Sequence, residues 1–261
     1  QVIIDNRGVA STMIATELVA RSSPDGYTIL LNAPAHSTNP TLAKPNYDSL
    51  RDFAFITLVA ESQNLLVLHP SMPVHNVKEL IAHARQRPND INYGSSGAGS
   101  TPHLSAELFQ YMTGAKITHV PYKGSGAGMV ALLSGEISMY FANIPVAIPH
   151  VRNNRLRPVA LSGTRRNQAV PGIPTLSESG LPGFDVTSWF GIAAPAKTPR
   201  VIVDQLHGVI VRALQTPDLR ARLLDQGAEP VGNTPEQYTA FMQNEIAKWA
   251  TVIKAAGIKG G

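Results

Sequence analysis

Tyr93-Gly94-Ser95-Ser96-Gly97-Ala98-Gly99-Ser100-Thr101-Pro102-His103 follows a run containing apolar residues and opens an amphipathic one. Three glycines and four Ser/Thr residues stand where a strand is expected to become a helix. The first N–H groups of a helix lack partners within it and carry partial positive charge, so such an entry suits an anion. The next two segments repeat the pattern. Ile117 to Val120 reads as a strand leading through Pro121-Tyr122-Lys123-Gly124-Ser125-Gly126-Ala127-Gly128 into a helix around Met129 to Leu133. Ile137 to Phe141 leads through Ala142-Asn143-Ile144 into a helix with Pro145 in its first turn, a favoured early position. If these strands and Ile91 to Gly94 are parallel neighbours, their exit loops share one edge of a sheet and form one site.

Upstream, Gln1-Val2-Ile3-Ile4-Asp5 reads as a strand already under way, so a leader and at least one preceding element are expected to be absent. Asp5-Asn6-Arg7-Gly8 is read as a turn into a helix over Thr12 to Arg21, and Tyr27 to Leu31 as a strand, which together make a strand–helix–strand unit with a parallel sheet. The prolines of Asn32-Ala33-Pro34-Ala35-His36-Ser37-Thr38-Asn39-Pro40 predict an irregular loop. Loops leaving strand C-termini bind ligands in open α/β sheets, and an ordinary connector fits the composition equally well. Phe53 to Val59 and Asn64 to Leu68 read as two strands, and Asn76 with Glu79 predicts a capped helix from Val77 to about Arg87.

Downstream, Leu156 to Leu161 and Asp185 to Ala194 read as strands, separated by a stretch rich in Pro, Gly and Ser. Helices follow over Val201 to Leu214, from Pro217 to Gln226-Gly227, and after the capping box Thr234-Pro235-Glu236-Gln237. This organisation predicts a first α/β lobe formed by residues 1–66 and 187–261 and an inserted lobe over 67–186, joined by two crossings that act as a double hinge.

The 261 residues are 43% hydrophobic, enough for real cores, and no window approaches the roughly 18 apolar residues of a membrane span. The absence of cysteine removes disulfides and thiolate metal sites. A net charge of +4, without a dense basic run, favours small anionic ligands over nucleic acid.

Gly126-Ala127-Gly128-Met129-Val130-Ala131 fits the dinucleotide fingerprint G-x-G-x-x-A, but the acidic residue needed about 20 positions on is missing from Tyr140 to Ile144. Phosphate-loop, G-x-S-x-G and H-E-x-x-H motifs are also missing, so no catalytic residue, cofactor or metal is expected. His36, His103 and His119 read as loop or core histidines with ordinary hydrogen bonds. Tyr122 could offer a hydroxyl to an anion, and Lys123 is either a solvated charge or a ligand. Asn143 could cap its helix, bind a ligand, or do both.

Ser23-Pro24-Asp25-Gly26-Tyr27-Thr28, Val74 to Leu80 with its Val-Lys-Glu-Leu, Asn92-Tyr93-Gly94-Ser95, His119-Val120-Pro121-Tyr122-Lys123-Gly124, Asn143-Ile144-Pro145, Ser188-Trp189-Phe190-Gly191 and Gly227-Ala228-Glu229-Pro230 follow one another in an order and spacing that resemble the Bug-type receptors. These are the substrate-binding proteins of tripartite tricarboxylate transporters. The resemblance spans essentially the whole chain. It implies a periplasmic, two-lobed α/β receptor of the Venus-flytrap kind, with two parallel-rich sheets flanked by helices and the N-terminal strand and helix missing. Such a receptor closes on a small carboxylate, a mono-, di- or tricarboxylic acid or an amino acid, and delivers it to a membrane permease; a monomer is expected. Carried onto this chain, the ligand contacts are Ser95, Ser96, Gly97 and Thr101 in one loop, Tyr122 and Gly124 in the next, Asn143, and Ala33, Ala35 and His36 from the first lobe. Ala142 stands where the family commonly has an acidic residue, and Gly8-Val9-Ala10-Ser11-Thr12 replaces a glycine-rich turn, so ligand selectivity does not carry over. An enzyme acting on a carboxylated substrate and a transport-inactive sensor module are the competing readings.

Overall fold

The computed structural model describes residues 2–6, 12–97 and 99–258. Along the chain the elements are α1 (Met13–Ala20), β1 (Leu30–Asn32), α2 (Ala35–Leu42), β2 (Phe53–Leu68), α3 (Val77–Gln86), β3 (Asn92–Ser95), α4 (Thr101–Thr113), β4 (Thr118–Pro121), α5 (Ser125–Ser134), β5 (Met139–Asn143), α6 (Ile144–Arg152), β6 (Arg157–Leu161), β7 (Thr187–Pro195), α7 (Arg200–Leu214), α8 (Pro217–Asp225), β8 (Ala228–Pro230) and α9 (Pro235–Ala256). The chain divides into two units: Gln1–Glu61 with Trp189–Leu224 and Glu229–Gly261, and Ser62–Ser188 with Asp225–Ala228. The class is α/β, as expected.

In the first unit β7 lies between β1 and β2, and β1 pairs with β7 antiparallel, Leu30 opposite Ala193 and Asn32 opposite Gly191. This corrects the parallel strand–helix–strand unit. Val2, Ile3 and Ile4 form no strand and are exposed, so among the described residues no strand before α1 pairs with β1. The turn expected at Asp5 to Gly8 and the stretch Gly8 to Thr12 fall largely on residues 7–11, outside the described residues.

The loop expected over Asn32 to Pro40 is instead mostly helix. Pro34 occupies the N-cap of α2, where a missing N–H costs nothing, and Pro40 removes only one bond of the helix interior. Ser37 Oγ donates back to the Pro34 carbonyl at 2.8 Å. The core of this unit gathers Val19, Leu30, Phe53, Phe55, Trp189, Tyr238 and Met242. Glu245 on α9 accepts from two indoles there, Trp189 Nε1 at 3.2 Å and Trp249 Nε1 at 2.9 Å, and pairs with Lys248. Gly191 is needed beside this cluster, because a Cβ there would lie 2.0 Å from the Tyr238 hydroxyl, which donates to Asn32 Oδ1.

β2 runs unbroken for 16 residues where two strands were expected. The intervening Ser62-Gln63-Asn64 looks like a turn in sequence, yet its side chains are buried and bonded. Ser62 Oγ donates to the Gly227 carbonyl, Gln63 Nε2 to the Arg165 carbonyl and Asn64 Nδ2 to Ser105 Oγ. Each side chain thus places a donor on a partner, which lets the strand continue, while Gln63 Oε1 and Asn64 Oδ1 remain buried without a partner among the described residues.

In the second unit β3 pairs in parallel with β4 on one side and β5 on the other. β2 then runs antiparallel to β5, Asn64 opposite Asn143, and also antiparallel to β6. Leu65, Val67, Tyr140 and Ala142 face Met129, Leu132 and Ala147 in its core. The C-terminal ends of β3, β4 and β5 therefore share one edge, as the sequence led us to expect.

Candidate functional site

At that shared edge α4, α5 and α6 begin, and none has a side-chain cap. Ser100, Gly124 and Asn143 hold the three N-cap positions without a capping bond. In the same unit α3 is capped conventionally: Asn76 accepts from the Glu79 N–H at 2.9 Å. An uncapped start leaves the first-turn N–H groups to water or a ligand. Gly124 has φ 95°, a backbone few other residues adopt without strain, and this lets β4 turn directly into α5.

The Ser95 to Thr101 loop is built from its own hydroxyls. Ser95 is fully buried; its Oγ lies 2.7 Å from His119 Nε2, accepts the Gly97 N–H at 3.1 Å and lies 3.1 Å from the Gly97 carbonyl. It shapes the loop, and its hydroxyl faces inward. Ser100 Oγ donates to the Gly97 carbonyl at 2.7 Å. Ser96 and Gly97 are half-buried at the sheet edge. Thr101 opens α4, and its Oγ1 accepts from Ser188 Oγ at 3.0 Å.

Behind the loop, His103 and His119 stack with centroids 4.1 Å apart, and Tyr93 stacks on His119 at 4.9 Å. His103 Nδ1 accepts the Gly99 N–H at 2.9 Å. Tyr93 donates to Glu107 Oε1 at 2.6 Å, and Gln110 Nε2 donates to the same oxygen at 3.0 Å. Burial, reinforced by the neighbouring His119, depresses His103 from 6.5 to about 4, and burial also lowers His119. Burial raises Glu107 and Tyr93. In sequence these histidines look ordinary, because 16 residues separate two rings, one on α4 and one on β4, that meet only in the folded unit.

Two expected contacts are placed differently from what their sequence positions imply. Tyr122 sends its hydroxyl to Glu136 Oε1 at 2.8 Å, and burial with that carboxylate pushes it up to about 12. His36 is buried inside the first unit on α2, with Nε2 2.9 Å from the Ser49 carbonyl and the Phe53 ring edge-on at 4.7 Å. Burial lowers it to about 4. Ala33 and Ala35 stand at the exit of β1 and the start of α2. Asn143 ends β5 and makes no capping bond, so its amide is not spent on α6. Lys123 is exposed.

The dinucleotide fingerprint is not realised as a strand-to-helix turn. Gly126 and Gly128 lie inside α5, and the side chain of Tyr140 fills the space over Gly128, 3.0 Å from where a Cβ would stand. Among the described residues no three His, Asp or Glu side chains converge as a metal site, and no helix is long and apolar enough to cross a membrane.

Residues 1–258 match the family model described as "Tripartite tricarboxylate transporter family receptor". Protein BugT of Bordetella pertussis is 35% identical over 261 residues, spanning 99% of this chain and 80% of its own. A solved R. palustris protein with adipate is 38% identical with a TM-score of 0.84, covering 99% of this chain and 87% of that one. MatC from Rhodopseudomonas palustris, solved with bound malate, is 30% identical with a TM-score of 0.78, covering 94% and 85%.

Proposed function

The chain belongs to the tripartite tricarboxylate transporter receptor family, and from that premise we propose that it binds a small linear carboxylate at the helix-start edge of its second unit and delivers it to the permease of such a transporter. The family consists of periplasmic solute receptors, which bind their substrates without transforming them. The observation that carries the reading is the convergence of three uncapped helix starts, α4, α5 and α6, on one sheet edge. Each helix N-terminus favours an anion by about 0.3–1 kcal/mol, and up to ~2 kcal/mol when partly buried. Three such termini with hydroxyl and amide donors hold a carboxylate without a buried lysine or arginine.

In this reading Ser96, Thr101 and Asn143 are the contacts, and Ser95, Gly97, Gly124 and Tyr122 act through backbone and loop shape, the Gly97 and Gly124 N–H groups being donated to Ser95 Oγ and the Tyr122 carbonyl. The related proteins solved with adipate and malate support a dicarboxylate as the first compound to try. The test is calorimetry with malate, adipate and shorter acids, run beside nicotinamide nucleotides, with the acid recovered and identified afterwards. Saturable binding of an unchanged carboxylate is expected. Conversion of the acid, or binding of the nucleotide instead, overturns the proposal.

A further inference from the structure

An anion site backed by two histidines invites the assumption that they supply positive charge. The hydrogen bonds say otherwise. His103 Nδ1 accepts the Gly99 N–H at 2.9 Å, so that nitrogen carries no proton, and the neutral ring keeps its proton on Nε2, 3.6 Å from Glu107 Oε1. His119 Nε2 is 2.7 Å from Ser95 Oγ, the same oxygen that receives the Gly97 N–H. His103 thus points its two nitrogens at Gly99 and Glu107, and His119 points Nε2 at Ser95.

We propose that His103 and His119 are positioning residues for the anion seat, a stacked pair in which a neutral His103 holds the Gly99 N–H and His119 holds Ser95 Oγ. The inference rests on the carboxylate reading of that edge. Two charged rings at 4.1 Å would repel, and a proton arriving at His103 Nδ1 would set two donors face to face and release Gly99. The titratable groups facing the pair are Tyr93 from β3 and Glu107 from α4, with neutral Gln110 holding the Glu107 oxygen. The pKa of about 4 for His103 keeps the acceptor available at neutral and mildly acid pH. A periplasmic receptor that meets variable external pH thereby keeps one loop shape.

His103→Asn keeps an acceptor close to the Nδ1 position, whereas His103→Leu fills the buried space without one. Affinity for malate and adipate at neutral pH is expected to stay within about threefold of wild type for His103→Asn and to fall about tenfold or more for His103→Leu. Thermal midpoints of the two variants report whether Leu acts only by unfolding the site; a folded His103→Leu protein that binds as well as wild type overturns the inference. The nitrogen chemical shifts of His103 in ligand-free wild type are expected to show an unprotonated Nδ1 from about pH 8 to about pH 5.5. A protonated ring, or affinity that rises as pH falls across that range, marks a cationic ligand and also overturns it. Absence of carboxylate binding by wild type defeats the parent reading and this one together, whereas unaltered binding by His103→Leu defeats this one alone.

Discussion

His36 carries no charge that a ligand could use, but its burial sets a pH dependence for the first unit. Its ring lies against Phe53, Phe55 and Tyr47, and Nδ1 has no hydrogen-bond partner among the described residues. The unfolded chain binds a proton at the ordinary value of 6.5, while the folded one resists until about 4. Stability from this group is therefore complete above 6.5 and declines as pH falls toward 4. At neutral pH it amounts to on the order of 3 kcal/mol. Urea unfolding of wild type and His36→Gln at pH 7 and pH 4 checks this; Gln can still donate to the Ser49 carbonyl, and its loss of stability on acidification is expected to be smaller by about that amount. Loop and core placements of this ring were equally open in the sequence, since it sits on a helix that its prolines disguise and its neighbours come from β2 and from the bend at Tyr47.

Helix ends separate structural from binding roles. Thr234 and Gln237 form a reciprocal capping box on α9, and Asn76 caps α3. Thr234→Ala and Asn76→Ala are each expected to lower stability by about 1 kcal/mol while leaving carboxylate affinity alone. Asn143→Ala removes no cap, so its cost in stability is expected to stay within about 0.5 kcal/mol while affinity falls. Chemical denaturation paired with calorimetry on the three variants distinguishes the two behaviours. Both caps were legible because donor and acceptor lie three residues apart. The continuity of β2 was not, because Ser62, Gln63 and Asn64 find their partners in Gly227, Arg165 and Ser105, far along the chain. The same holds for Ser95: its type suggested a ligand contact, and only the β3–β4 pairing brings His119 up to take its hydroxyl.

At the scale of the whole molecule, the α/β class and the shared edge of β3, β4 and β5 followed from three strand-to-helix passages read locally, two of them glycine-rich and the third marked by Asn143 and Pro145. The first unit was harder to read, because its pairing of β1 with β7 joins segments about 160 residues apart and no local pattern announces it. That unit also holds both tryptophans of the chain, Trp189 and Trp249, their indoles tied to one carboxylate at Glu245. Indole emission is thus a built-in optical label for one unit alone. Glu245→Ala leaves two buried indole N–H groups without an acceptor and is expected to cost roughly 2–4 kcal/mol, read as an earlier urea midpoint in the emission signal.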